Sequence, residues 1–149
     1  MGRAEEGAVG TVRFIDANVF IYAFLKPRRE PPDTVKAIKE KAKGILRRVS
    51  DGEEVVTTVI HLSEVANVVE SRAGKGKAAE IVLSVLTSQN IRVLDVSTAD
   101  YLRAALIAEE RNLGINDALA YLKMRELGID EIYTFDRDFE KLDVKIVRE

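Results

Sequence analysis

Short runs of β-branched and aromatic residues alternate along this chain with long stretches of helical periodicity, and no Asn-Gly or Asp-Gly pair links one short run to the next. Strands that cannot turn back through a tight hairpin must be joined by crossovers, so the pattern predicts βαβ units and a parallel sheet covered on both faces. The expected fold is α/β, a three-layer α/β/α sandwich with a central, mainly parallel sheet of about five strands. The runs that read as strands are the residues leading to Asp16, then Glu54–Thr58, Ile91–Asp95, Glu131–Phe135 and Val144–Val147.

Between them lie the helices. Ala17–Leu25 is apolar at nearly every position, and Lys26-Pro-Arg-Arg-Glu-Pro-Pro-Asp33 breaks it with prolines and charge. Asp33 reads as the cap of a long helix buried through Val35, Ile38, Ala42, Ile45, Leu46 and Val49. A third helix buries Leu62, Val65, Ala66 and Val69, and Ser71–Lys77 reads as a flexible basic break before a helix buried through Ala78, Ile81, Val82 and Val85. Ser97 or Thr98 caps a helix whose stripe includes Leu102, Ala105 and Leu106, and Gly114 separates it from a last one built on Ile115, Ala118, Leu119 and Leu122. Residues 1–10 have no periodicity and read as a loose tail, leaving 11–149 as one domain.

Composition narrows the chemistry. With no cysteine and a single histidine in 149 residues, disulfides and thiolate metal sites are excluded. No apolar run approaches the ~20 residues of a membrane span, and no secretory signal opens the chain, so a soluble, cytoplasmic protein is expected. The net charge of −2 advertises no polyanion-binding surface as a whole, although local basic patches remain open.

The polar residues at the strand ends carry the functional signal. Asp16 ends the first strand inside an apolar stretch, Glu64 enters the helix after the second, Asp117 follows Gly114, and Asp136 and Asp138 follow the fourth strand. Read alone, Asp16, Asp117 and Asp136 are ordinary caps and Glu64 a solvated residue. Read together, they fall near one edge of the sheet, where ligands bind in open α/β folds. Acids converging there repel one another unless divalent cations lie between them, and oxygen donors suit Mg2+ or Mn2+ rather than zinc.

Asp16-Ala-Asn18 after the first strand, Glu64, Asn116-Asp117-Ala118 at a helix start and Thr134-Phe-Asp136-Arg-Asp138-Phe139 after the fourth strand resemble the PIN-domain nucleases, most closely the toxin type of VapBC toxin–antitoxin pairs. The resemblance covers about Val12 to Val147 and implies a metal-dependent endoribonuclease acting on single-stranded or structured RNA. It implies that Asp16, Glu64, Asp117 and Asp136 hold one or two Mg2+ or Mn2+ ions, with Asp138 as an additional ligand. Two ions ~3.5–4 Å apart would bind the attacking water and the leaving oxygen of an in-line displacement, leaving 5′-phosphate and 3′-hydroxyl ends. Asn18 and Thr134 are expected to orient a carboxylate or its water. His61, one turn before Glu64, is expected to be structural or to line the groove. Arg72, Lys75, Lys77 and Arg137, with Arg28 and Arg29, are candidates for phosphate contacts, each also readable as a solvated charge. A small antitoxin partner and a homodimer are implied as well. A free-standing RNA-processing nuclease, or a PIN-like binding domain without chemistry, stays as the alternative.

Overall fold

The computed structural model describes residues 12–149, and the stretch 1–10 that reads as a tail lies outside them. The described residues form strands β1 (Arg13–Ile15), β2 (Val55–Thr58), β3 (Ile91–Leu94), β4 (Glu131–Tyr133) and β5 (Lys145–Val147). Around them lie helices α1 (Ala17–Phe24), α2 (Asp33–Ser50), α3 (Val59–Ala73), α4 (Lys75–Leu86), α5 (Thr98–Arg111) and α6 (Ile115–Leu127), and a 3-10 turn spans Arg137–Lys141. The strand order is β3-β2-β1-β4-β5, and every neighbouring pair is parallel. This is the expected three-layer parallel sandwich.

β1 is central because it is apolar on both faces. Ile15 packs with Phe20, Ile45, Val65 and Ile81 from α1 to α4, whereas Phe14 packs with Ala104, Leu119, Met124 and Phe139 in the opposite layer. A strand buried on both sides has no polar face to alternate with. The chain lays down β1, β2 and β3 outward in one direction and then returns to place β4 on the other side of β1. The β1/β4 border is therefore the switch point, where connections leave in opposite directions, the place where open α/β sheets bind ligands beyond their strand ends. Asp16 directly follows β1, and its N–H donates to the Tyr133 carbonyl at 3.0 Å, so the two strand ends are tied together at that switch point.

Several local expectations change. The Ser71–Lys77 break contracts to Gly74, which closes α3 and opens α4 at φ +94°, a conformation glycine reaches without a Cβ penalty. Lys75 and Lys77 consequently sit in the first turn of α4 rather than on a flexible loop. Asp33 is the first residue of α2, and Pro32 occupies the cap position without a side-chain bond. β4 stops at Tyr133 rather than Phe135, because the Thr134 hydroxyl accepts the Asp136 N–H and turns the chain.

The largest correction concerns α5. Leu102 and Leu106 are 61% and 57% exposed, and the helix is buried through Ala104 and Ala108. Small side chains let α5 close on α6, and a ring of charge fixes that approach: Lys123 donates to Asp100 at 2.9 Å and Glu126 at 3.2 Å, and Arg103 donates to the same two acids at 2.8 and 2.9 Å. The leucines face the other way. In α6 the buried surface is wider than one stripe, taking in Ala120, Tyr121 and Met124, while Ile115 is exposed.

Candidate metal centre

The site grows from the end of β1. Asp16 caps α1, its Oδ1 accepting the Ala17 N–H at 2.8 Å, and its Oδ2 accepts the Thr134 hydroxyl at 2.8 Å. The side chain is buried, and burial pushes its carboxyl up to about 6. The two hydrogen bonds pull in the opposite direction, and the charges of Glu64 and Asp136 add to the rise. Thr134 does more than donate: its oxygen accepts the Asp136 N–H at 3.0 Å and the Asn18 amide at 3.3 Å. Asn18 Oδ1 in turn accepts the Phe135 N–H at 3.3 Å. Asn18 and Thr134 thus stitch the start of α1 to the chain leaving β4.

Three carboxylates converge beside this stitch. Asp136 caps the 3-10 turn, its Oδ1 accepting the Asp138 N–H at 2.9 Å. Asp117 stands in the first turn of α6. One oxygen from each of Asp117, Asp136 and Asp138 lies within 4.8 Å of the other two. Burial, followed by the charges of Asp16 and Asp136, a hydrogen bond shared with Asp136 and the charge of Asp138, pushes the Asp117 carboxyl up to about 8. So many acids in one place require either a proton or a cation.

Asp16 and Glu64 are not part of that close trio, although their charges reach it in sequence, Glu64 acting on Asp16 and Asp16 on Asp117. Glu64, half-buried on α3, accepts the Asn116 side-chain amide at 3.0 Å. Asn116 had no assigned role in the sequence beyond its place beside Asp117. His61 is completely buried and lines no groove; Thr58 Oγ1 lies 2.7 Å from Nδ1 and the Asn116 carbonyl 3.0 Å from Nε2. Burial holds its pKa down at about 4, so the ring is neutral near pH 7 and does not offset the acids.

The basic candidates are dispersed. Arg137 is exposed between Asp136 and Asp138, beside the carboxylates. Arg72 donates to the Lys26 carbonyl at 3.3 Å and lines an apolar groove with Tyr22, Leu25, Pro27, Pro31 and Lys39. Lys75 and Lys77 are exposed at the start of α4, where Lys77 lies 3.7 Å from Glu80, and Arg28 and Arg29 are exposed on the proline loop.

An all-oxygen trio, with the one nearby imidazole engaged at both nitrogens, fits a hard divalent cation such as Mg2+ or Mn2+. The elevated Asp117 carboxyl reflects its burial among neighbouring carboxylates, a crowding that either a proton or a cation relieves.

The PIN domain family profile matches residues 13–145. No curated protein matches the chain. Among solved structures, the VapC20 toxin of Mycobacterium tuberculosis, described as cleaving the sarcin-ricin loop, superposes with a TM-score of 0.69 at 25% identity, over 91% of this chain and 98% of that one. A toxin–antitoxin complex from Klebsiella pneumoniae matches with a TM-score of 0.61 at 16% identity, over 91% and 95% of the two chains. VapBC2 of Rickettsia felis, solved on a DNA fragment from its promoter, matches with a TM-score of 0.60 at 15% identity, over 92% and 98%.

Proposed function

The chain belongs to the PIN domain family, and from that premise we propose that it is a divalent-metal-dependent endoribonuclease, working in the cytoplasm as the toxin of a toxin–antitoxin pair. The observation that carries the reading is the gathering of Asp117, Asp136 and Asp138 within 4.8 Å of one another, near enough to the buried Asp16 for its charge to act on Asp117. Similarity to VapC20 and to two toxin–antitoxin assemblies supports the choice of RNA as substrate and of a small antitoxin as partner.

In this reading Asp117, Asp136 and Asp138 hold Mg2+ or Mn2+, with Asp16 and Glu64 completing the acidic surround. When bound, the ion supplies Lewis acidity toward water and phosphate and offsets charge developing at phosphorus. The chain's own residues do the positioning. Thr134 and Ala17 hold both oxygens of Asp16 in place. Asn18 keeps the Asp136 loop against α1, and Asn116 fixes Glu64. Arg137, exposed between Asp136 and Asp138, is our assignment for a backbone-phosphate contact, and Arg72, Lys75 and Lys77 are our candidates for contacts to the flanking strand. The apolar groove of Tyr22, Leu25, Pro27 and Pro31 is our assignment for the antitoxin segment. The exposed leucines of α5 are our assignment for a homodimer contact.

The deciding experiment incubates purified protein with single-stranded and structured RNA. Cleavage should require Mn2+ or Mg2+, cease with chelator, and fall to background in a folded Asp16→Asn variant. Cleavage that persists through both treatments overturns the reading.

A further inference from the structure

His61 is engaged at both ring nitrogens, and its partners fix which one carries the proton. The Thr58 hydroxyl oxygen accepts the Ile60 and His61 N–H groups, each at 3.1 Å. Its own proton then points to Nδ1 at 2.7 Å, which makes Nδ1 the acceptor. The ring proton therefore resides on Nε2, which donates to the Asn116 carbonyl at 3.0 Å. One helical turn further along α3, Glu64 accepts the Asn116 side-chain amide at 3.0 Å. Asn116 is thus gripped by α3 through both its main chain and its side chain, and Asp117 is the next residue. The imidazole also stands edge-on to Phe14 of β1, ring centroids 5.1 Å apart, with Nε2 4.0 Å from Asp16 Oδ1.

We propose that His61 is a positioning residue: the Thr58–His61–Asn116 bridge sets the spacing between α3 and α6, and so places Glu64 and Asp117 around Asp16 before any cation arrives. A purely space-filling role would be met by leucine, which packs against Phe14 without two hydrogen bonds to satisfy. Here each polar end of the ring meets a residue that itself adjoins or caps the acid-bearing helices. The consequence for chemistry rests on the metal-nuclease reading, whereas the geometric claim does not.

The test therefore begins on metal-free protein. Long-range 1H–15N spectra of the imidazole should show the Nε2–H tautomer, and Thr58→Val should leave it in place, because the Asn116 carbonyl can only accept. His61→Leu should displace the backbone amide resonances of residues 116–118, and His61→Gln, whose Nε2 amide can still donate to the Asn116 carbonyl, should largely restore them. In calorimetric titrations with Mn2+ alone, His61→Leu should bind about 10–100-fold more weakly, with His61→Gln near the parent. In RNA cleavage, kcat should fall and KM hold. An Nδ1–H tautomer, unchanged resonances and Mn2+ affinity in a folded His61→Leu, or His61→Gln as impaired as His61→Leu would each overturn the proposal. Should His61→Leu fail to fold, the tautomer and the His61→Gln measurements decide it alone. A parent protein that shows the tautomer and the resonance shifts but binds no Mn2+ would retain the positioning role and defeat the nuclease reading.

Discussion

At the residue scale, the acids make opposite demands of folding and of ion binding, and pH exposes the conflict. A carboxyl whose folded pKa lies above its unfolded value of 3.8 binds more protons folded than unfolded, so its favourable share is complete at low pH and is lost as pH rises through the folded value. Asp16, raised to about 6, loses that share mostly below pH 6, where His61, lowered from 6.5 to about 4, works in the opposite sense. Asp117, raised to about 8, acts without that opposition above pH 6.5. In chelator the melting temperature should therefore fall between about pH 6.5 and pH 8. Asp117→Asn should raise it at pH 8 by about 2–4 °C, the equivalent of ~1 kcal/mol in a chain of this length. A flat profile in differential scanning calorimetry would contradict the charge crowding. Thr134 gives a second test, because its hydroxyl serves Asp16, Asp136 and Asn18 at once. Thr134→Val should weaken Mn2+ binding about 10–100-fold by calorimetry while Thr134→Ser keeps it.

At the element scale, the alternation of apolar runs and helical periods made the parallel sandwich legible, and the order of the strand-end acids made their edge of the sheet legible. What stayed hidden were relations between elements. Asn116 meets Glu64, and His61 meets Asn116, only after α6 has been laid beside α3, and no spacing within either helix announces it. The Ser71–Lys77 stretch misled for a local reason: its glycines and lysines look like a loop, yet one glycine at positive φ suffices to end α3 and start α4. That gives a prediction for the hinge. Gly74→Ala leaves the space around the new Cβ open but puts a Cβ on a backbone at φ +94°, ψ +165°. It should destabilise the protein by about 1–3 kcal/mol, read from urea midpoints with an unchanged m-value. A neutral substitution would mean that the α3–α4 turn relaxes to another conformation.

At the scale of the whole molecule, the misread stripe of α5 is informative in itself. Leu102, Ala105 and Leu106 recur at helical spacing as a core face would, yet α5 turns Ala104 and Ala108 inward and leaves Leu102 and Leu106 at 61% and 57% exposure, with Tyr101 beside them. Apolar periodicity marks a face suited to burial and does not say whether this chain buries it. Beside these leucines runs a shallow groove lined by Ile60, Val96, Tyr101, Leu102 and Ala105, so one surface carries both a ridge and a hollow. In the proposed homodimer, a two-fold axis near this face would set the ridge of each copy against the hollow of the other. Burying a leucine contributes about 1.5–3 kcal/mol, and symmetry counts every leucine twice. Replacing Leu102 and Leu106 by Glu should therefore leave the fold intact, since both side chains already meet water, and convert a dimer into a monomer in sedimentation equilibrium at tens of micromolar protein. Leu83→Glu on α4, at a site also 61% exposed, should leave the dimer in place. A monomeric parent protein would remove the homodimer, and a dimer lost only with Leu83→Glu would move the contact to the α4 face.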